Sequence, residues 1–343
     1  MSFPKVYIIV LNWNGLSDTV ECLESVYRLD YPNFEVVVVD NGSVDDPAPV
    51  VRAQFPRASL LMNRENLGYT GGNNVGIRHA MRNGGDYIWL LNNDTTVDST
   101  CLTRLVATAG GERVALVSPT IYYYDSPTRK QFCGSCIDMA DLSLSFPDRS
   151  VPPPAAFTTG PNVCLWGTAL LIKAAVAEQI GVLDERYFAY WEDTDYSLRT
   201  RQAGYVNRLA PSASVYHKAA PPNSIRPGRH YHYYMERNRI LLAKRHLGAG
   251  ARVAIYRRQL ANLAITLQSY RDLGALEAAD ARLHGFIDGL CSVTGPMPTE
   301  QFKVVARVMS SVLSWHPYFL ARALRAELRP FRSRLLFRRG PRS

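Results

Sequence analysis

VYIIVLNWN, residues 6–14, is the stretch that decides the fold. Its first six residues are β-branched, aliphatic or aromatic, with no polar interruption. That is the make-up of a strand buried on both faces of a parallel sheet, not of a half-exposed hairpin strand. The run then breaks into Asn12-Trp13-Asn14-Gly15. Next, Leu16–Leu29 carries Leu16, Val20, Leu23 and Tyr27 at helical spacing. Glu35–Asp40 (EVVVVD) is a second buried strand, closing on Asp40-Asn41-Gly42-Ser43. Ser59–Met62 reads as a short third strand and Thr70–Met81 as a helix. Tyr87–Leu91 (YIWLL) reads as a fourth strand, ending in Asn92-Asn93-Asp94. Strands alternating with helices at this pitch build βαβ units and a doubly wound α/β sheet. Ligands of such sheets sit beyond the carboxyl ends of the strands. The polar ends at Asn12–Asn14, Asp40–Asn41 and Asn92–Asp94 are therefore expected to converge on one crevice.

The middle of the chain is less regular. Ser126–Pro161 is rich in Pro, Ser and Asp, and Pro152-Pro153-Pro154 is excluded from helix and central strand. It reads as a long irregular excursion over the crevice. Order resumes at Val163–Ile172, a helix starts near Glu192, and Val206–Leu209 and Ser214–His217 read as short strands. Beyond about Pro227 the pattern is helical, with helices expected over Tyr231–His246, Arg252–Leu273, Leu276–Gly289, Gln301–Ser314 and Tyr318–Arg338. The expected division is an α/β domain over 1–226 and a helical region over 227–343.

Composition narrows the function classes. With 47% hydrophobic and 20% charged residues among 343, the chain is not disordered. Its 39 basic and 30 acidic residues give a net charge of +9. Residues 316–343 hold eight Arg against Glu327, which is +7 and leaves +2 for everything before them. The charge therefore belongs to the tail and argues against a nucleic-acid-binding body. Val308–Ala321, 14 residues without formal charge, falls short of the about 20 a membrane span needs. The N-terminus has no signal-peptide layout. Six scattered cysteines fit a reduced, cytoplasmic protein. Cys133-Gly-Ser-Cys136 has no second ligand pair for zinc and reads as two small, semi-buried residues.

Several clusters carry candidate chemistry. Asp40 is either an acceptor for a nucleobase or ribose, or the cap of an Asx-type turn. In Asn66–Asn74 (NLGYTGGNN), Gly68, Gly71 and Gly72 let backbone approach a ligand, and the helix start after them can hold phosphate oxygens. The pattern is neither Walker A nor GxGxxG. Asn92-Asn93-Asp94 supplies one carboxylate for a cation bridging a diphosphate, or caps the helix after Ser99. Trp191-Glu192-Asp193-Thr194-Asp195 opens a helix with three acids in four residues, more than capping needs, so one of them suits a general base. His217 reads as a metal ligand, an acid/base or a structural histidine.

Taken in order, VYIIVLNWN (6–14), VVVDNGS (37–43), Asn66–Asn74, LNNDT (91–95), WEDTD (191–195) and His217 resemble a family-2 inverting glycosyltransferase of the rhamnosyltransferase-like branch, over roughly Lys5–His246. The resemblance implies the nucleotide-diphospho-sugar transferase fold called GT-A, a Rossmann-like mixed sheet, here with a helical C-terminal extension. It implies transfer of a sugar from a UDP- or dTDP-sugar to a hydroxyl of a glycan or lipid-linked acceptor by single displacement. Asp193 would be the base, beside Glu192. Asp94 would be the surviving acid of the DxD element and hold Mg²⁺ or Mn²⁺ with His217, Asn92 standing where the first acid would be. Donor contacts are expected from Asn12, Asn14, Asp40, Asn41, Asn66, Gly68, Gly71, Asn74, Asn92 and Asn93, and acceptor contacts from Trp166, Gly167 and Trp191. Arg237-Asn238-Arg239 matches a helix common in this branch.

Two other classes fit the residues less well. A nucleotidyltransferase would want a basic loop after the first strand, and Asn12–Gly15 has no Lys or Arg. A non-catalytic nucleotide-sugar-binding protein would not need Asp94, Glu192, Asp193 and His217 together. In the tail, Arg322, Arg325, Arg329 and Arg332 alternate with Leu320, Leu324, Leu328 and Leu335. This reads as an interfacial amphipathic helix for an anionic membrane surface, as a solvated helical face, or as a self-association surface, but not as a nucleic-acid element.

Overall fold

In the computed structural model, residues 3–218, 228–272 and 276–298 are described. They divide between two compact units, Met1–Arg226 with Thr294–Pro296 and Pro227–Val293 with Met297–Ser343. The helices expected over 301–314 and 318–338, and the Arg-rich tail, lie outside the described residues.

The first unit runs β1 (Val6–Asn12), α1 (Leu16–Val26), β2 (Phe34–Asp40), α2 (Ala48–Gln54), β3 (Ser59–Met62), α3 (Gly68–Arg82), β4 (Tyr87–Asn92), β5 (Thr95–Val97), α4 (Cys101–Ala109) and β6 (Val114–Tyr123). It continues with β7 (Ser126–Phe132), β8 (Cys136–Asp138), β9 (Ser143–Ser145), α5 (Ala155–Thr158), β10 (Thr159–Gly160), β11 (Ala169–Lys173), α6 (Ala174–Ile180), α7 (Glu192–Gln202) and β12 (Val206–His217). The sheet order is β10-β12-β6-β11-β4-β1-β2-β3, with β5 on β12 and β7 on β6. β3, β2, β1 and β4 are parallel, β11 is antiparallel to both β4 and β6, and β12 is parallel to β6. This is the mixed α/β sheet of the GT-A fold.

Why β1 is apolar throughout is now visible. Val6, Ile8 and Val10 face one core, with Cys22 and Leu23 of α1 and Leu102 and Leu105 of α4. Tyr7 and Ile9 face the other, with Ile77 and Ala80 of α3. Both faces are covered, so alternation of polar and apolar residues disappears.

Three expectations need correction. Ser126–Pro161 is not an irregular excursion: it holds β7, the β8–β9 hairpin, α5 and β10. These pieces are short, and β7 is mostly exposed, so they lack an apolar period. The long strand β6 escapes sequence reading because Pro119 interrupts it. Pro119 pairs with Ala210, where the β6–β12 register shifts, and a bulge is where a strand tolerates proline. The two strands expected over 206–217 are one strand with that irregularity inside it. Helix ends also move: α1 stops at Val26, not Leu29.

In the second unit, α8 (Arg229–His246), α9 (Ala249–Asp272) and α10 (Leu276–Cys291) share a core of Ile240, Leu263, Ala279, Leu283 and Phe286. α8 and α10 approach closely at Gly285, where a Cβ would lie 2.2 Å from the Tyr233 carbonyl oxygen. Arg237 is fully buried here, its guanidinium 5.3 and 4.8 Å from the Tyr233 and Tyr234 ring centres. It is a packing residue of this unit. Cys133 and Cys136 are free thiols, and no cluster of three acidic, His or Cys ligands occurs among the described residues.

Candidate active site

The register puts Asn12 opposite Asp40, and Leu11 opposite Asn92, so the three polar strand ends lie side by side at the carboxyl edge. On the β1–β2 side the polar atoms bind one another. Asn12 Nδ2 donates to Asp40 Oδ1 at 2.8 Å, and Thr19 Oγ1 donates to Asn12 Oδ1 at 2.8 Å. Ser43 donates to Asp40 from Oγ (2.6 Å) and from its amide (3.1 Å). Asp40 therefore closes an Asx-type turn and is buried. Asn14, at φ 54°, accepts the Val44 amide. Asn41 donates to Asn66 Oδ1 and the Gly68 carbonyl, and accepts from Asn63 Nδ2 and the Leu67 amide.

The glycine-rich stretch differs from its expected use. The Gly68 amide donates to Asn66 Oδ1, and the Thr70 amide donates to the Phe188 carbonyl, so these helix-start donors already have partners within the protein. Gly68 is required by its φ of +74° and by Phe188, whose carbonyl oxygen would lie 2.5 Å from a Cβ. At Gly71 and Gly72 a Cβ would meet Leu67 and Leu11 instead of open space. Asn74 is fully buried and bound to the Leu183 backbone from both amide atoms and to Glu185, so it clamps α3 to the 183–185 turn and does not face the crevice.

Beyond β4 the arrangement changes. Asn93 Nδ2 ties back to the Gly15 carbonyl and Thr19 Oγ1. The Asn92 side chain makes no hydrogen bond among the described residues, while its amide donates to the Thr168 carbonyl. The helix after Ser99 starts from Thr100 without a side-chain cap; Asp98 accepts the Thr100 amide and hydroxyl, and no side chain of Asn92–Asp94 bonds that helix start. Asp94 Oδ1 lies 3.2 Å from His217 Nε2, yet it is buried without a hydrogen-bond partner of good geometry. Burial alone would raise the Asp94 pKa, but His217 and the Lys218 charge outweigh it and hold the carboxyl below its usual range. Gln131 Oε1 sits 2.9 Å from His217 Nδ1. His217 thus has Gln131 at one ring nitrogen and Asp94 at the other. Lys218 is held by Asp18 and Glu21 at 2.6 Å each, anchoring the end of β12 to α1.

The start of α7 carries the second acidic group. Asp193 Oδ2 accepts the Gly167 amide at 2.9 Å, and Oδ1 accepts the Thr194 amide at 2.6 Å. Burial raises its pKa against these donors. Glu192 is 5% exposed with Oε2 lacking any donor, and burial, then the charges of Asp193 and Asp195, push its pKa well up. Tyr69 links the two groups. Its hydroxyl donates to the Gly167 carbonyl at 2.6 Å, and its phenol is pushed well up by burial and by Glu192, Asp193 and Asp94 around it. A Cβ on Gly167 would lie 3.0 Å from that hydroxyl. Before α7, Phe188, Tyr190 and Trp191 all have positive φ, rare for bulky residues and concentrated at functional sites. Trp166 stacks on Phe132 with centroids 4.6 Å apart. Tyr69 and Gln131 were not singled out in the sequence. Tyr69 was legible only as part of the glycine-rich run, and Gln131 carried no sequence signal because β7 itself has none.

A mixed GT-A sheet with one acid at Asp94 and an acidic pair at Glu192–Asp193 near its carboxyl edge is the setting of a glycosyltransferase. The sequence matches the family described as Glycosyl transferase family 2 over residues 7–165, and Glycosyl transferase family group 2 over residues 87–320, more than half of the chain. The chain belongs to the family-2 glycosyltransferases. It is 26% identical over 236 residues to an N-acetylglucosaminyl-diphospho-decaprenol L-rhamnosyltransferase of Mycobacterium tuberculosis, covering 62% of this chain and 76% of the relative. It is 27% identical over 196 residues to a galactofuranosyltransferase of Mycolicibacterium smegmatis, covering 57% of this chain and 65% of that one. A match to a longer Sinorhizobium fredii protein spans 24% of that protein. In fold it is similar to a mannosyltransferase of Pyrobaculum calidifontis solved with GDP-Man and Mn²⁺, at TM-score 0.53 and 17% identity over 99% of this chain and 89% of that one.

Proposed function

We propose that this chain transfers a sugar from a UDP- or dTDP-sugar to a hydroxyl of a glycan or lipid-linked acceptor, with inversion, and that Asp193 is the base. The observation that carries this reading is Tyr69. Its hydroxyl donates to the Gly167 carbonyl while the Gly167 amide donates to Asp193, and the charges of Glu192, Asp193 and Asp94 all push its phenol up, so the acid suited to a cation and the acid suited to a base act on one residue. Asp193 is held by the Gly167 and Thr194 amides, which fix its direction, while burial raises its basicity toward that of a working general base. Each of its oxygens keeps acceptor capacity for the incoming hydroxyl. Burial and the charge of Asp193 push the neighbouring Glu192 pKa well up.

A divalent cation fits Asp94 and His217. Asp94 Oδ1 and His217 Nε2, 3.2 Å apart, would supply two ligands, and a hard cation would take the rest from diphosphate and water. When bound, Mg²⁺ or Mn²⁺ would neutralise charge on the departing diphosphate. Asn14, Asn92 and Asn93 remain the donor-facing candidates, and Trp166, Gly167 and Trp191 the acceptor-facing ones. Among the described residues no helix is long and apolar enough to cross a membrane. Association with anionic lipid is proposed for the Arg-rich tail, with vesicle flotation of the chain with and without residues 318–343 as its check.

The test is a screen of nucleotide sugars for nucleoside diphosphate release, paired with calorimetry of UDP and dTDP binding with Mn²⁺ or with EDTA. Release with at least one donor, and tighter binding with Mn²⁺, are expected. Equal affinity in EDTA overturns the roles of Asp94 and His217.

A further inference from the structure

A second concave site lies on the reverse face of the strands that carry His217. We propose that it binds an acidic saccharide. The groove has a volume of about 890 Å³, within the roughly 300–1,000 Å³ of small-ligand sites. Its floor is built by three neighbouring strands. Tyr122 of β6 pairs with Tyr216 of β12 and with Lys130 of β7, so these side chains share one face of the sheet. Tyr123, paired with His217, points to the other face, where His217 meets Asp94 and Gln131. Tyr122 and Tyr216 thus floor the groove, while Tyr123 and His217 turn away from it and Arg129 of β7 lies 5.1 Å over the Tyr123 ring. Its wall is the segment around Arg149–Val151, tied down by Lys130 Nζ donating to the Val151 carbonyl at 3.0 Å.

The lining has a definite chemistry. Arg129, Lys130 and Arg149 all border it, no carboxylate does, and none of the three forms an ion pair among the described residues. Asp148, the nearest acid in sequence, is occupied by the amide and hydroxyl of Ser150. Arg129 rests over the Tyr123 ring and Arg149 over the Phe146 ring, and three cations without a carboxylate partner around one cavity make a site for an anion. The Tyr122 and Tyr216 rings, 5.8 Å apart and tilted by 32°, form an apolar platform with hydroxyl edges, and Thr128, Ser150 and Ser214 add further hydroxyls. A flat ring bearing many hydroxyls and one or more phosphates or carboxylates satisfies both halves: the sugar on the tyrosines, the anion on Arg129, Lys130 and Arg149. An acceptor chain anchored here would be held by a part remote from the reacting hydroxyl. That role rests on the transferase reading, whereas the binding itself does not.

The experiment titrates the full chain, with and without UDP, with glucose 1-phosphate, glucuronate, glucose and inorganic phosphate, followed by NMR or calorimetry. Both acidic sugars are expected to bind saturably at millimolar concentration or better, and more weakly as salt rises. Glucose and inorganic phosphate are expected to bind at least roughly tenfold more weakly. The phosphate and carboxylate arms show which anion the groove prefers. Arg129→Gln with Arg149→Gln should lower affinity for the better acidic sugar by roughly tenfold or more, and Tyr122→Ala should lower it while leaving inorganic phosphate binding alone. UDP affinity of both variants should equal that of the parent, which also shows that they fold. Parent-like binding by the double Arg variant, equal binding of glucose, or no saturable binding of either acidic sugar overturns the proposal. Donor hydrolysis in the same samples separates this from the transferase reading: loss of one leaves the other standing.

Discussion

Asn12, Asp40, Asn41 and Asn74 direct their polar atoms at one another or at nearby backbone. On the other side, Glu192 Oε2 is buried with no donor, just after three bulky residues at positive φ, and Asp94 Oδ1 has only His217 beside it. Both sides look alike in sequence: short polar clusters after apolar strands. The difference shows that a polar cluster at a strand end has two physical uses. It can complete the hydrogen bonding of tight loops, or it can be left incomplete so that a ligand completes it. A buried polar atom without a partner costs about 1–3 kcal/mol, so fold stability alone would select against the second arrangement.

The comparison breaks first at Asp193. Asp193→Asn should lower turnover by roughly two orders of magnitude or more with nucleotide affinity nearly unchanged, measured as kcat and as UDP binding. A full-rate Asn variant removes the base from this side. Next is the completed side: Asn41→Ala deletes four hydrogen bonds and should cost about 3 kcal/mol of stability in urea unfolding. Loss of well under 1 kcal/mol would show that these bonds are not what holds the loops. Tyr69→Phe should lower kcat by roughly tenfold, and it carries a second readout. Loosening Gly167 weakens its amide's hold on the Asp193 carboxylate, so the Asp193 pKa rises further and the acid limb of the rate profile moves to higher pH. A drop in rate with an unmoved limb would assign Tyr69 to packing alone.

The smallest effect expected is on stability at Glu192. An acid whose pKa is raised on folding keeps its proton longer in the native state, so stability falls as pH climbs from the ordinary carboxyl range toward the raised value. Glu192→Gln has no such dependence. Its melting temperature should gain on the parent's as pH goes from about 5 to about 8, and parallel curves would contradict the raised value.

Much of the fold was legible because β1, β2 and β4 are buried on both faces, so their apolar runs could not be anything else. Elements with little buried surface were not: β7 is mostly exposed, and Pro119 disguises β6. In the site, residue types located the crevice, since acids and amides cluster where strands end. Their orientation was not legible. Asn74 sits in the same motif as Asn66 but faces Leu183, because helical position, not residue type, sets direction. Gly68, Gly71 and Gly72 signalled close approach correctly but not what approaches. Tyr69 was hidden because only tertiary contact with Gly167 gives its hydroxyl a use.

The aromatic run before α7 has a further consequence for engineering. Left-handed backbone at Phe188, Tyr190 and Trp191 costs on the order of 1–3 kcal/mol at each residue. Glycine at any of the three would relieve that strain, so directed evolution for heat resistance has an easy route through this segment. The same route would slacken the entry to Glu192 and Asp193. Selection for thermostability and selection for turnover would therefore pull residues 188–191 toward different sequences.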